Sequence, residues 1–272
     1  MNKLQINKKT CLLPASWDDL TAEQLLKVVP MTYFQPDSPR SRREVLRYLI
    51  PLSFMGRRQF RKLTPEQWYD LFRVIDFLWL TQPSGKQLHE FEHKGQTYLL
   101  PDAQFSYVTG IEYAMIDFYF KQFTNPKKKD NPDLKALDGL LATMCRPQKA
   151  GLDTSDPEWN GDPREKYNAA IAGRRAEALA DLPLAVKVTA LQVAVSGLRT
   201  MDKRYKKVFE EPELDKAGNP IEKKGAGNPY IDLLYDLAEK QVFGNWEATC
   251  FTPIHTIFAY LKKKKLDHDD RE

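Results

Sequence analysis

Thr64-Pro65-Glu66-Gln67-Trp68-Tyr69-Asp70-Leu71-Phe72-Arg73-Val74-Ile75-Asp76-Phe77-Leu78-Trp79 is the stretch that decides the fold class. Thr64 is an N-cap residue and Pro65 suits the first helical position. Gln67 completes a capping box, because its amide can accept from the orphan N–H of the cap. Behind this start, Trp68, Leu71, Phe72, Ile75 and Trp79 fall on one face. That recurrence belongs to an amphipathic helix.

The same reading extends in both directions. Thr21 with Gln24 is a capping box that predicts a helix to about Val29. Ser41 with Glu44 repeats the spacing, followed by a stripe of Val45, Tyr48, Leu49 and Leu52, with Pro51 set to kink or end the helix. Downstream, Gly110 to Phe123 is apolar nearly all round, so it must be enclosed by the core or by a partner. Leu134 to Met144 reads as a short helix stopped before Pro147. Longer helices are predicted over about 164–180 and 182–210, separated by Asp181-Leu182-Pro183. Asn228-Pro229 and Thr252-Pro253 start the last two, and Gly244 suits a left-handed cap after the first of them.

Strand signals are confined to two places. Residues 88–100 read as a β-hairpin turning at His93-Lys94-Gly95, and the weak alternation of Leu4, Ile6 and Cys11 allows a short N-terminal strand or hairpin. The expected fold is therefore mainly α: one multi-helix globular domain over residues 1–266 with a small hairpin at about 88–100. Its loops fall at about 124–133, 147–164 and 212–228, and residues 267–272 form a charged tail.

Composition bounds the function. The chain has 272 residues, of which 42% are hydrophobic, 11% aromatic and 29% charged. That is too charged for a membrane protein and too aromatic for a disordered one. The net charge of +4 is small beside the clustered excess of dedicated nucleic-acid domains. Three widely spaced cysteines, with no C-x-x-C pair, fit a reducing cytosol. The start Met1-Asn2-Lys3-Leu4-Gln5 lacks the apolar run of a secretory signal. The most apolar stretch, Leu182 to Leu198, carries Lys187, Thr189, Gln192 and Ser196 and reads as a buried helix.

Few segments carry chemistry. His89-Glu90-Phe91-Glu92-His93 matches H-E-x-x-H, which on a helix sets two imidazoles on one face for zinc, with the glutamate as general base. Gly85 and Gly95 flank it closely, so a solvated hairpin strand is the better fit, and Glu112 is only a conceivable third ligand. Lys262-Lys263-Lys264-Lys265 suits a helix C-terminus, where the macrodipole favours cations. Lys127-Lys128-Lys129 reads as a solvated loop. Arg57, Arg58, Arg61 and Lys62, with Phe60 between, resemble a phosphate-contacting loop. Gly225-Ala226-Gly227 lacks the later glycine of a dinucleotide fingerprint, and no P-loop or G-x-S-x-G elbow is present. Cys145 reads as core, and Arg146 before Pro147 is open between capping a helix end and pairing with a carboxylate. No catalytic, cofactor-binding or metal residues are assigned.

Four segments together carry a resemblance: Leu13-Pro14-Ala15-Ser16-Trp17-Asp18-Asp19-Leu20-Thr21, Thr109-Gly110-Ile111-Glu112-Tyr113, Leu140-Leu141-Ala142-Thr143-Met144-Cys145-Arg146-Pro147, and Leu237-Ala238-Glu239-Lys240-Gln241-Val242-Phe243-Gly244. In sum the chain resembles tail assembly chaperone-like proteins of tailed phages and prophages of Bacteroidota. The resemblance implies a non-enzymatic, mainly helical protein of the host cytoplasm that holds the tape measure protein, or another tail protein, before the tail tube polymerises. Such a protein needs an apolar groove for amphipathic helices. Its expected walls are Ile111, Met115, Phe118 and Phe123 on one helix and Ile254, Phe258 and Leu261 on the last. The alternatives are a virion structural component (a tail or connector adaptor), a zinc-dependent hydrolase using His89, Glu90 and His93, and a nucleic-acid-binding accessory protein.

Overall fold

The computed structural model describes residues 1–6, 9–33, 37–81, 88–125, 132–155, 159–209 and 228–269. Lys127-Lys128-Lys129, Gly225-Ala226-Gly227 and nearly all of the expected 212–228 loop lie outside the described residues. The fold is mainly α, with two small antiparallel hairpins. β1 (Asn2–Ile6) pairs with β2 (Lys9–Leu13), then come α1 (Ala22–Tyr33), α2 (Pro39–Leu49), α3 (Arg57–Phe60), α4 (Pro65–Val74) and α5 (Phe77–Leu80). β3 (Glu90–His93) pairs with β4 (Gln96–Leu99), with Phe91 opposite Tyr98. There follow α6 (Gly110–Phe123), α7 (Leu134–Met144), α8 (Ala169–Ala178), α9 (Leu184–Arg204), α10 (Lys206–Phe209), α11 (Pro229–Glu239), α12 (Trp246–Phe251) and α13 (Ile254–Asp269).

α6 and α7 are the centre of the molecule and pack on each other more extensively than any other pair of elements. α6 is enclosed because α7, α11, α12 and α13 all reach it. At its first residue, a Cβ on Gly110 would stand 2.8 Å from both Leu234 and Ile257, so a side chain there would hold these helices apart. α9 closes the other side of α7, burying Val188, Leu191, Val195 and Leu198. Its polar Lys187 is buried as well and donates to Asp138 (2.5 Å) and to the Ala180 carbonyl (2.8 Å). Among the described residues no helix is long and apolar enough to cross a membrane.

The helix starts at Thr21 and Thr64 form as expected, each with its capping box. The start near residue 41 differs. Ser38 and Ser41 form the box, with Pro39 at the first helical position, so α2 begins one residue after Ser38, and Ser41 becomes a buried first-turn residue. Proline's fixed φ selects that earlier start. The long apolar stripe after Thr64 is broken at Ile75 and Asp76 into α4 and α5.

The helix expected over 164–180 begins only at Ala169, capped by Asn168. Arg164 and Glu165 are drawn instead into ladder bonds with 147–149: Lys149 donates to Pro163, and Glu165 to Pro147, both at 2.8 Å. Gln241 rather than Gly244 takes the left-handed position after α11, with φ 50°. Gln241 N–H donates to Ala238 and Val242 N–H to Leu237, both at 3.0 Å. That pair of bonds is a Schellman motif. Gly244, also at positive φ, leads into α12, a helix the sequence reading did not separate. α13 continues through Asp269, past the expected start of the charged tail at 267; residues 270–272 lie outside the described residues.

Candidate functional site

The H-E-x-x-H segment is not helical: His89 stands just before β3, which carries Glu90 to His93. Four residues of strand separate the two imidazoles by about 13 Å, against the zinc–nitrogen distance of about 2 Å that each must satisfy. Phe91 between them stacks on Tyr98 (centroids 5.3 Å apart), and His93 Nε2 lies 3.0 Å from Asp181 Oδ1 and 3.1 Å from the Ala178 carbonyl. Lys94 completes the contact with Asp181 at 2.8 Å. Lys94, and after it His93, holds the Asp181 carboxyl below its ordinary range. The segment thus ties the hairpin to the end of α8. Among the described residues no three His, Cys, Asp or Glu side chains are grouped to hold a metal.

Glu112 belongs to a different constellation. Its carboxylate reaches back to the start of α6, accepting from Thr109 N–H (3.1 Å) and Thr109 Oγ1 (2.8 Å). The other oxygen accepts from Arg146 Nη2 at 2.5 Å, and both side chains are 1% exposed. Arg164 holds Asp162 through Nε (2.7 Å) and Nη2 (2.8 Å), and Asp162 also reaches Arg146 at 3.2 Å. Arg175 pairs with Glu165 at 3.0 Å. These arginines also satisfy the end of α7: Arg175 donates to the Ala142 carbonyl and Arg164 to that of Met144. Buried helix ends require such partners.

The neighbouring cavity, about 240 Å³, is lined by Trp159, Asn160 and Tyr167 among others. Burial pushes Tyr167 up to about 12 and the adjacent Cys145 thiol up to about 12. Neither is a nucleophile at neutral pH. Three arginines face three carboxylates, so this cluster balances its own charge and ties 145–167 to α6 and α7. The sequence leaves Arg146 open between two roles and carries no signal for Asp162, Arg164 and Arg175. Their pairing is set by the 147–149 ladder, which has no periodic signature.

The residues expected to wall a groove divide into two groups. Phe123, Ile254 and Phe258 are core residues, at 1%, 2% and 0% exposure. Phe258 packs edge-on against Tyr113 (5.3 Å) and Tyr205 (5.5 Å), because α13 lies along α6 and α10. Ile111, Met115, Phe118 and Leu261 are half-buried.

An exposed aromatic pair stands elsewhere. Tyr235 on α11 and Trp246 on α12 stack at 4.1 Å and 13°, with 57% and 37% of each residue exposed. Half-buried Phe243 and Tyr260 meet edge-on at 5.6 Å in the neighbouring segments. No family model, curated protein or solved structure matches this chain.

Proposed function

We propose that this chain is a non-enzymatic phage morphogenesis protein, a tail assembly chaperone that holds the tape measure protein before tail tube polymerisation. The resemblance of residues 13–21, 109–113, 140–147 and 237–244 supports the reading. The observation that carries it is the exposed Tyr235–Trp246 stack, which flanks the last of those segments. Large aromatics are enriched at protein interfaces because they bury much area for few rotatable bonds. The Schellman turn at 237–242 and the Asn245 cap of α12 fasten the backbone between the two rings, and a pre-ordered segment loses less order when a partner covers it.

The test is co-expression with a phage tape measure protein from the same genome. The reading expects the tape measure protein to stay soluble and to co-purify. A Tyr235→Ser/Trp246→Ser variant should lose most of that recovery while keeping its melting temperature within a few degrees. A tape measure protein that is equally soluble without this chain would overturn the proposal. Stoichiometric presence in purified virions would point to the tail or connector adaptor instead.

A further inference from the structure

We infer that the cleft between α2 and α4 binds an acidic segment of a partner protein, carboxylates on its arginine rim and one apolar side chain on its floor. The cleft encloses about 380 Å³ and is lined by Arg43, Arg47 and Arg61 above Phe60, Leu63, Pro65 and Trp68. Arg43 and Arg47 stand one helical turn apart on α2, and Arg61 follows α3. Among the described residues no carboxylate lines the cleft. Arg42, their neighbour, is used up by Asp37 and Asp76, whereas Arg47 and Arg61 make no ion pair among the described residues. Two exposed arginines left unpaired beside an apolar recess suit a ligand of the opposite sign that also brings an apolar anchor.

The floor decides between anionic ligands. A nucleic acid strand would need an open ring face for base stacking. Here Phe60 and Trp68 stack on each other at 5.9 Å and are 3% and 7% exposed. The Arg43 guanidinium lies over the Trp68 ring at 5.1 Å, where a base would have to sit. Leu63, half-buried at the edge, is the contact left for an aliphatic side chain. The chemistry is that of a peptide with glutamates around a leucine. This inference stands apart from the chaperone reading, which rests on Tyr235 and Trp246.

The experiment is fluorescence anisotropy on the full chain with a labelled peptide carrying glutamates one helical turn apart around a single leucine. The inference expects binding that weakens with salt. Arg47→Glu/Arg61→Glu should weaken it at least about tenfold, as should exchanging the peptide's glutamates for glutamine. Leu63→Ala should weaken it with the salt dependence unchanged. Arg47 and Arg61 are exposed, so the variant's melting temperature should match the parent's. Should the double reversal perturb folding, Arg47→Gln/Arg61→Gln provides the same comparison. Equal affinity for the glutamate and glutamine peptides would overturn the inference. So would unchanged affinity in the arginine variants, tighter binding of a charge-matched oligothymidylate at the same arginines, or displacement of the peptide by inorganic phosphate.

Discussion

Arg146 is the residue on which most of the interior polarity depends. It is 1% exposed and serves Glu112, Asp162 and the Glu165 carbonyl at once. Removing one member of a buried ion pair costs about 3–5 kcal/mol, because the other charge is left without solvent or partner. Arg146→Ala should therefore lower urea-unfolding stability by that amount. Replacing Glu112 as well, in Arg146→Met/Glu112→Leu, should recover part of the loss, since it removes a buried carboxylate left with only Thr109 and Arg164 at 3.4 Å. The cysteines give a second residue-scale expectation. Burial raises Cys145 from its ordinary 9.0 to about 12 and Cys250 to about 11. A thiol with a raised folded value contributes stability that is complete below pH 9 and is lost as pH climbs toward 12. Stability measured between those limits should fall less steeply in Cys145→Ala than in the parent. An unchanged slope would mean the thiol is reached by solvent.

At the scale of elements, the close crossing of α9 against the loop before α6 is the sharpest constraint. A Cβ on Gly197 would lie 2.3 Å from the ring of Phe105. Phe105 has no room to yield: it is fully buried and sits at a left-handed φ of 58°. Gly197→Ala should therefore destabilise by about 1–3 kcal/mol through overpacking, although alanine is the better helix former. Thermal unfolding of the variant measures it, and a more stable protein would show that α9 can shift. The β3–β4 hairpin works differently. Its turn residues Lys94 and Gly95 both take positive φ, as a two-residue hairpin turn demands, and its tip is then fastened to α8 by His93, Lys94 and Asp181. His93, the last residue of the H-E-x-x-H segment, and the turn residue Lys94 both meet Asp181.

For the whole molecule, the arrangement of α6, α7 and α9 puts the halves of the chain into one interior. One connected set of buried side chains runs from Cys11 and Leu13 through Phe120 and Leu191 to Phe258. Trp17 near the N-terminus donates to the Thr81 carbonyl and lies under Arg199 of α9. A chain tied together across that sequence distance should unfold as one unit. Tryptophan fluorescence and far-ultraviolet circular dichroism should give coincident urea transitions. Two resolved transitions would separate the segment before β3 from the helices after it.

Most of the helices were legible in the sequence because their information is local. A capping side chain three residues from its partner, a proline at the first turn and an apolar recurrence every three to four residues act within one turn. Thr64 with Gln67 and the limits of α6 and α7 are therefore found where the residues put them. The reading failed where one signal met a competitor, in two cases only a few residues away and in one across a loop. Ser41 could cap a helix, but Pro39 had already started it; Arg164 and Glu165 could extend α8, but the ladder to 147–149 claimed that stretch of backbone. Gln241, not the glycine three residues on, closes α11 because Val242 must reach Leu237. The fate of the apolar faces was beyond the sequence altogether. Phe258 and Leu261 share one stripe, yet one is core and the other half-buried, because which side of a helix is covered depends on where α6 and α10 lie in space. The sequence by itself determined a mainly helical chain, most of its helix starts and the hairpin at 88–100. Only the tertiary structure paired Glu112 with Arg146, Arg164 with Asp162 and left Arg47 and Arg61 facing solvent, since a charge's partner is chosen by distance through space.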